Sequence, residues 1–186
     1  MAAANAGRRS VDAVICGAGI AGVSCARYLA HQHGARVLLV DPRPALSHTS
    51  SLSTECYRNY WSGSAPMSAF MDRSIDLLEA RARETGNAFG LNRRGYWFAS
   101  GTAAGAAAHL SAVGTVQELG ASARVYTDGS HAMHYRADTP YDAPTDTLSV
   151  FSGREAVQAF AGSLGREYLT ANVLSLMHCG HARMQM

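Results

Sequence analysis

The chain has 186 residues, of which 47% are hydrophobic and 16% are charged, a composition typical of globular proteins rather than of disordered or fibrous ones. A formal net charge of +2 gives no concentrated basic face, so we expect neither nucleic-acid nor membrane binding. Four widely spaced cysteines and the lack of a long apolar run predict a soluble cytoplasmic protein with reduced thiols and no metal site.

A glycine-rich turn follows the first predicted strand. Residues 1–10 are expected to form a flexible N-terminus, and Val11–Cys16 is predicted to be a parallel strand covered on both faces. In the next six residues Gly17 permits a tight turn, Gly19 lets a pyrophosphate approach the backbone, and Gly22 lets a helix pack closely on the sheet. This order predicts a dinucleotide site.

The predicted helix after the turn ends near His33, and its N-terminus directs free N–H groups towards a phosphate. Its expected buried stripe is Val23, Cys25, Ala26, Leu29 and Ala30. A second strand, Arg36–Val40, ends on Asp41, where an acid can accept hydrogen bonds from the adenosine ribose diol. Since that acid repels a 2′-phosphate, FAD and NAD are favoured over NADP.

A proline-led, hydroxyl-rich loop follows Asp41, where a simple nicotinamide fold would turn quickly into another helix. Its hydroxyl residues are Ser47, Thr49, Ser50, Ser51, Ser53 and Thr54. We call residues 42–54 the hydroxyl loop. Such a loop can bring hydrogen-bond donors to a flavin's pyrophosphate, ribityl chain or ring edge. The same hydroxyls can instead cap a helix or satisfy the backbone of the turn, and the sequence leaves both interpretations open.

With this loop the chain resembles the amino half of the FAD-dependent amine and amino-acid oxidoreductases, the superfamily of D-amino-acid oxidase, glycine oxidase and monomeric sarcosine oxidase. The resemblance also rests on YRNYW and on a long helix leading to the Gly-aromatic pair Gly95-Tyr96. It implies FAD contacts from Gly17, Gly19, Ile20, Ala21, Gly22, Asp41, Pro42, Arg43, Thr49, Ser50 and Ser51. It further implies that Arg58 lies on the substrate side.

The activity implied by the resemblance is oxidation of a C–N bond in a small amine or amino acid, by hydride transfer to the flavin. Relatives usually carry Glu at the position of Asp41, and a His or Arg of some relatives is replaced here by Ser51 or Glu55. Covalent attachment of the flavin is therefore left open, and no catalytic residue is assigned. Two alternatives are an NAD-dependent Rossmann dehydrogenase and a catalytically incompetent dinucleotide-binding fragment.

Three helices and a last strand are predicted downstream: a helix over 65–85 capped by Ser64, a helix over 103–119, a helix over 154–164, and a strand within 170–180 that returns to the flavin domain. Residues 89–91 and 96–99 are expected to pair as strands, with Arg93 and Arg94 exposed in the turn between them. On the helix over 65–85 the expected buried stripe is Met67, Phe70, Met71, Ile75, Leu78 and Ala82. Its expected solvated face is Arg73, Asp76, Glu79, Arg81, Arg83 and Glu84.

The predicted fold class is α/β. Residues 11–95 are assigned to a Rossmann-like FAD-binding domain with a parallel sheet, and 96–186 to part of a mixed α+β substrate domain. Because the resemblance implies longer relatives, we expect a truncated form. Its open sheet edge would favour self-association.

Overall fold

The computed structural model describes residues 10–61, 64–129, 138–144, 148–163 and 173–179. The chain forms two compact units that divide between Cys56 and Tyr57, whereas the domain boundary predicted from the sequence follows residue 95. Nearly all of the predicted flexible N-terminus and the C-terminal residues 180–186 lie outside the described residues. Within the described ranges, no helix combines the length and apolar character needed to cross a membrane.

The first unit is a βαβ arrangement. Strand β1 (Ala13–Cys16) leads through the glycine turn into helix α1 (Ile20–His33), and strand β2 (Val37–Val40) pairs parallel to β1 with Ala13 opposite Val37 and Cys16 opposite Val40. Gly34 ends α1 with a φ of +62°, and its N–H donates to the carbonyl of Leu29. The predicted elements of this segment are therefore confirmed, with both strands shorter at their starts.

The expected burial of the first unit is wrong in two respects. Ile15 lies on the face that α1 covers, whereas Val14, Cys16, Leu38 and Val40 on the opposite face are exposed. In addition, no residue of α1 is buried. The physical reason is that one helix covers one face of a two-stranded sheet, and no other described element of this unit packs on the second face.

The second unit is built on a four-stranded sheet with the order β3-β6-β5-β4. Its strands are β3 (Tyr96–Ser100), β4 (Ala123–Tyr126), β5 (Leu148–Ser152) and β6 (Ser175–Cys179). Strand β6 runs antiparallel to β3 and β5, and β4 runs parallel to β5. The predicted last strand is thus present, and its hydrogen-bonded neighbours are β3 and β5 rather than the strands of the first unit.

Both faces of this sheet are covered. Helix α3 (Ala103–Glu118) contributes Ala112 and Val116 to a core that contains Val150 and Met177. On the opposite face, helix α4 (Arg154–Ser163) packs Ala156, Val157 and Phe160 against Phe151 and Trp97. Alternation along the strands places neighbouring residues in different cores, as the geometry of a pleated sheet requires.

Helix α2 (Ala65–Glu84) begins where the sequence predicts, since the Ser64 hydroxyl accepts the N–H of Met67 at 3.4 Å. The buried stripe is only partly as expected: Ile75 and Ala82 are buried, but Met67, Phe70 and Leu78 are exposed. The expected solvated face is also wrong at Glu79, which is buried.

Two further expectations between α2 and β3 are wrong. Residues 89–91 form no strand, because the Asn87 side chain accepts the Leu91 N–H at 2.7 Å and donates to the Leu91 carbonyl at 3.0 Å, which closes a loop. Arg93 is not exposed: its side chain is 7% accessible and contacts the Glu79 carboxylate at 2.6 Å. Arg94 is exposed, as expected.

Candidate cofactor-binding site

The glycine turn is shaped by two positions that exclude a side chain. Gly17 has a φ of +110°, a conformation that residues with a Cβ rarely adopt, and its N–H donates to the Val40 carbonyl at 2.7 Å. A Cβ on Gly22 would lie 1.8 Å from the Gly17 carbonyl oxygen. These two glycines therefore make the sharp entry of the chain into α1.

Gly19 serves a different purpose, because its backbone faces a partly open space. A Cβ added there would meet only the Ser50 hydroxyl, at 3.6 Å. Gly19 is also the N-cap of α1 and has no side chain to occupy the free N–H groups of the first helical turn. This backbone can accordingly be approached by a ligand such as a phosphate.

Asp41 ties the end of β2 to the glycine turn. Its Oδ2 atom accepts the N–H of Ala18 at 2.9 Å, and its Oδ1 atom accepts the N–H of Arg43 at 2.9 Å. The Arg43 Nε atom lies 3.6 Å from Oδ1, and the Asp41 side chain is 12% exposed. The hydrogen bond from Ala18 foremost, and that from Arg43, hold the pKa of Asp41 below its usual value, so the side chain is a carboxylate.

The hydroxyl loop closes over the same turn. The N–H of Leu46 donates to the Ala18 carbonyl at 2.8 Å, and the Ser50 hydroxyl accepts the N–H of Ile20 at 3.0 Å. Ser50 thus supplies the helix cap that Gly19 cannot provide. The two contacts place one side of the loop beside the N-terminus of α1.

An open crevice of about 120 Å³ lies between the turn and the loop. Its lining residues are Ala18, Gly19, Asp41, Arg43, Pro44, Leu46, Ser47, His48, Thr49 and Ser50. This volume is below the roughly 300–1,000 Å³ of pockets that enclose a whole ligand. The crevice alone therefore suits one part of a dinucleotide.

Five of the site residues predicted from the sequence line this crevice: Gly19, Asp41, Arg43, Thr49 and Ser50. The other six in the first unit, Gly17, Ile20, Ala21, Gly22, Pro42 and Ser51, are not among its lining residues. The glycines of this second group shape the turn, and Ile20 contributes its N–H to Ser50. The Ser51 hydroxyl donates to the His48 carbonyl at 2.9 Å.

The sequence did not point to four of the lining residues, Ala18, Pro44, Leu46 and His48, and it gave Ser47 only as one of the hydroxyls of the loop. Ala18 takes part through its peptide group, which leaves no side-chain signal. The position of Ala18 between two glycines was the available signal, since backbone groups there must be near any bound phosphate. His48 is held beside Thr49, with its Nδ1 atom 3.1 Å from the Thr49 hydroxyl.

Arg58, the predicted substrate-side residue, belongs to the second unit, where aromatic rings surround it. Its Cζ atom lies 4.6 Å from the centre of the Trp61 ring, 4.9 Å from that of Tyr96 and 5.9 Å from that of Phe98. Such cation–π contacts stabilise a guanidinium without neutralising it. Its Nε atom is buried and has no hydrogen-bond partner among the described residues.

The buried thiol of Cys179 is unsuited to nucleophilic chemistry. Burial raises its pKa to about 12, although the positive charge of Arg58 acts in the opposite direction. Since the thiolate is the reactive form of cysteine, this thiol is inert at neutral pH. We therefore assign Cys179 to the core of the second unit.

Comparisons with known proteins give one family. The sequence profile of the FAD dependent oxidoreductase family matches residues 12–156, a range that includes the glycine turn, Asp41, the hydroxyl loop and Arg58. No curated protein and no solved structure gives a significant match. The matched range covers well over half of the chain.

Proposed function

We propose that this chain, which belongs to the FAD-dependent oxidoreductase family, binds FAD at the crevice of its first unit. FAD is the cofactor of that family, so the NAD-dependent dehydrogenase considered from the sequence is the weaker alternative. The observation that carries the proposal is the side-chain-free backbone of Gly19 beside the first N–H groups of α1. That arrangement fits a pyrophosphate, because backbone N–H groups and the helix dipole both favour an anion.

The proposed contacts divide by chemistry. Gly19 brings backbone to the pyrophosphate, and the hydroxyls of Thr49 and Ser50 turn towards the bound ligand. In the structure the N–H of Ile20 donates to the Ser50 hydroxyl. When the ligand binds, this N–H donates to the phosphate instead. Arg43 adds a positive charge at the rim. Of the other predicted members, Gly17, Ala21, Gly22, Pro42 and Ser51 act by shaping the turn and the loop rather than by direct contact.

The proposed reaction is oxidation of a C–N bond. When bound, the flavin supplies a hydride acceptor for the carbon beside the amine. The chain's own residues bind and orient the substrate. Family membership supports an oxidoreductase in general, and the choice of a C–N bond rests on the resemblance to amine and amino-acid oxidoreductases.

Arg58 favours an amino acid over a simple amine as the substrate. The rings of Trp61 and Tyr96 lie close to its guanidinium, and the buried Nε–H on its edge has no hydrogen-bond partner among the described residues. A carboxylate matches that edge by accepting two parallel hydrogen bonds. We therefore propose that Arg58 binds the carboxylate of the substrate.

The test of substrate class pairs compounds that differ only in a carboxylate, such as proline with pyrrolidine and sarcosine with dimethylamine. Anaerobic reduction of the flavin by the amino acid, and little by its partner amine, is the expected result. Arg58→Met should raise KM for the amino acid by about 100-fold, because a charge-assisted hydrogen-bond pair is lost. It should leave the weak reaction of the amine unchanged, and Arg58→Lys should restore part of the loss.

Two outcomes would contradict this proposal. Equal reduction by both members of each pair would remove the argument from Arg58. A flavin-loaded protein that no amine or amino acid reduces would favour the catalytically incompetent dinucleotide-binding fragment.

Cytoplasmic location and self-association through an open sheet edge stay predictions, which fractionation and sedimentation velocity would test.

A further inference from the structure

We propose that Leu46, in the hydroxyl loop, is a ligand-contacting residue whose side chain packs against the adenosine half of the bound dinucleotide. The inference rests on the proposed FAD site and adds to it a residue that the sequence did not indicate. Its basis is the backbone conformation of Leu46, the hydrogen bond that holds this conformation, and the place of Leu46 in the crevice.

Leu46 adopts a backbone conformation that leucine rarely takes. Its φ is +62°, in the left-handed region, where a residue with a Cβ is disfavoured. It is the third residue of a turn closed by the Ser47 N–H, which donates to the Pro44 carbonyl at 3.3 Å. Glycine or asparagine usually occupies such a position when φ is positive. The leucine therefore lowers the stability of the loop, and backbone strain of this kind is typical of ligand sites.

A hydrogen bond to the glycine turn holds Leu46 in this conformation. Its N–H donates to the Ala18 carbonyl at 2.8 Å, and Ala18 is buried. Ala18 lies between the first two glycines of the turn, next to Gly19, where we place the pyrophosphate. The backbone of Leu46 is thus fixed beside the proposed ligand.

Burial in a core does not explain the leucine side chain. Leu46 is 38% exposed and lines the crevice together with Pro44, whereas the other hydroxyl-loop residues of the lining are charged or polar. Asp41 lines the same crevice, and the sequence predicts that its carboxylate binds the adenosine ribose. Because apolar surface gains free energy when a ligand covers it, we assign the adenosine half to the wall formed by Pro44 and Leu46.

Substitutions at Leu46 separate the side chain from the backbone conformation. Leu46→Ala removes most of the side chain but keeps a Cβ, whereas Leu46→Gly also removes the conformational penalty. Leu46→Met keeps an apolar side chain of similar volume. Glu55 supplies the control, because it has a φ of +53°, is exposed, belongs to the first unit and does not line the crevice. Glu55→Ala and Glu55→Gly therefore repeat the backbone comparison away from the proposed contact.

The ligands are FAD and ADP, each titrated into the full chain. Leu46→Ala and Leu46→Gly should weaken both ligands by the same factor, about 5- to 10-fold, because both ligands contain adenosine. Leu46→Met should bind both almost as tightly as the wild type. The thermal unfolding midpoint of the first unit should be about 4–8 °C higher in Leu46→Gly than in Leu46→Ala. The Glu55 pair should show a similar difference in midpoint, with the affinity for ADP unchanged.

Two results would overturn the inference while the proposed FAD site stands. One is a Leu46→Ala variant that binds ADP as tightly as the wild type, including the case of a loss confined to FAD. The other is equal midpoints for Leu46→Ala and Leu46→Gly beside unequal midpoints for the Glu55 pair. A wild-type chain that binds neither FAD nor ADP would instead overturn the proposed FAD site, and the inference with it.

Discussion

Among the glycines that the structure describes in the first unit, Gly22 has the least room for a side chain. Gly22→Ala would bring a Cβ to 1.8 Å from the Gly17 carbonyl oxygen, which forces β1 and α1 apart. We expect a loss of about 3 kcal/mol or more in the free energy of unfolding of this unit, together with loss of FAD binding. Chemical denaturation and flavin titration measure the two effects.

Gly34→Ala is the control for that substitution. Gly34 has a φ of +62° and open space around it, so alanine there should cost only about 1 kcal/mol, the conformational penalty alone, with FAD affinity unchanged. Equal effects of the two substitutions would show that close packing at Gly22 is not what the turn requires.

Asp12 links the stability of the first unit to acid pH. Hydrogen bonds from the Arg36 side chain, and then from its backbone, lower the pKa of Asp12 to about 2 from the ordinary value of 3.8. A carboxylate with a depressed pKa stabilises the fold at pH values above the unfolded pKa, and this contribution is lost as pH falls from about 4 to about 2. Unfolding curves over this range should show a pH dependence that is smaller in Asp12→Asn. An unchanged slope would show that the pair with Arg36 does not persist in solution.

At the scale of elements, α2 is attached to the segment before β3 by a buried ion pair. The Glu79 and Arg93 side chains are each 7% exposed, and Arg93 also donates to the Ala143 carbonyl at 2.6 Å. Glu79→Ala should destabilise the second unit by about 3–5 kcal/mol, because it leaves the Arg93 charge buried without its carboxylate.

The exposed Arg83, whose Nη1 atom lies 3.9 Å from the second Glu79 oxygen, supplies the control. Arg83→Ala should change the free energy of unfolding by less than about 1 kcal/mol. The double variant Glu79→Leu, Arg93→Met should recover most of the loss seen in Glu79→Ala, since no unpaired charge is then buried. A cost for Glu79→Ala no larger than that for Arg83→Ala would contradict the burial of this pair.

The helices and most strands could be predicted because their signals are local. Gly34, in the left-handed conformation, ends α1, and the Ser64 cap marks the start of α2. The burial of Glu79 could not be predicted, because its partner Arg93 lies 14 residues away in a segment whose path the pattern does not reveal. Likewise, residues 89–91 have the sequence of a short apolar strand, although the Asn87 side chain closes them into a loop.

The candidate site shows the same division between local and non-local information. The glycine turn and Asp41 follow from spacing, since each glycine has a separate steric reason. The spacing does not show that Ser50 rather than Ser51 lies beside α1. Adjacent hydroxyls in a loop look alike in the sequence, and only the folded loop turns one of them towards the helix. The lining peptide of Ala18 carries no side-chain signal.

For the whole molecule, the two units differ in how much core they have. Among the described residues, the only hydrophobic residue buried in the first unit is Ala18, whereas the second has two clusters on either side of its sheet. A unit with so little buried apolar surface should depend on its ligand for stability. FAD at about 100 times its Kd should add about 2.7 kcal/mol to the free energy of unfolding of the first unit.

Thermal unfolding followed at increasing FAD concentration measures this effect. The unfolding midpoint of the first unit should rise with the logarithm of the FAD concentration, and riboflavin, which lacks ADP, should have little effect. A midpoint that rises equally with riboflavin would show that the glycine turn does not provide the affinity.

The identity of the ligand that the full chain binds is the most direct test of the proposed FAD site. Absorption spectroscopy with mass spectrometry of the native and denatured protein reports the flavin and its mode of attachment together. We expect a yellow protein that holds one FAD per chain and loses it in the Gly22→Ala variant. A colourless protein that takes up no FAD but binds NAD at the same crevice would contradict it.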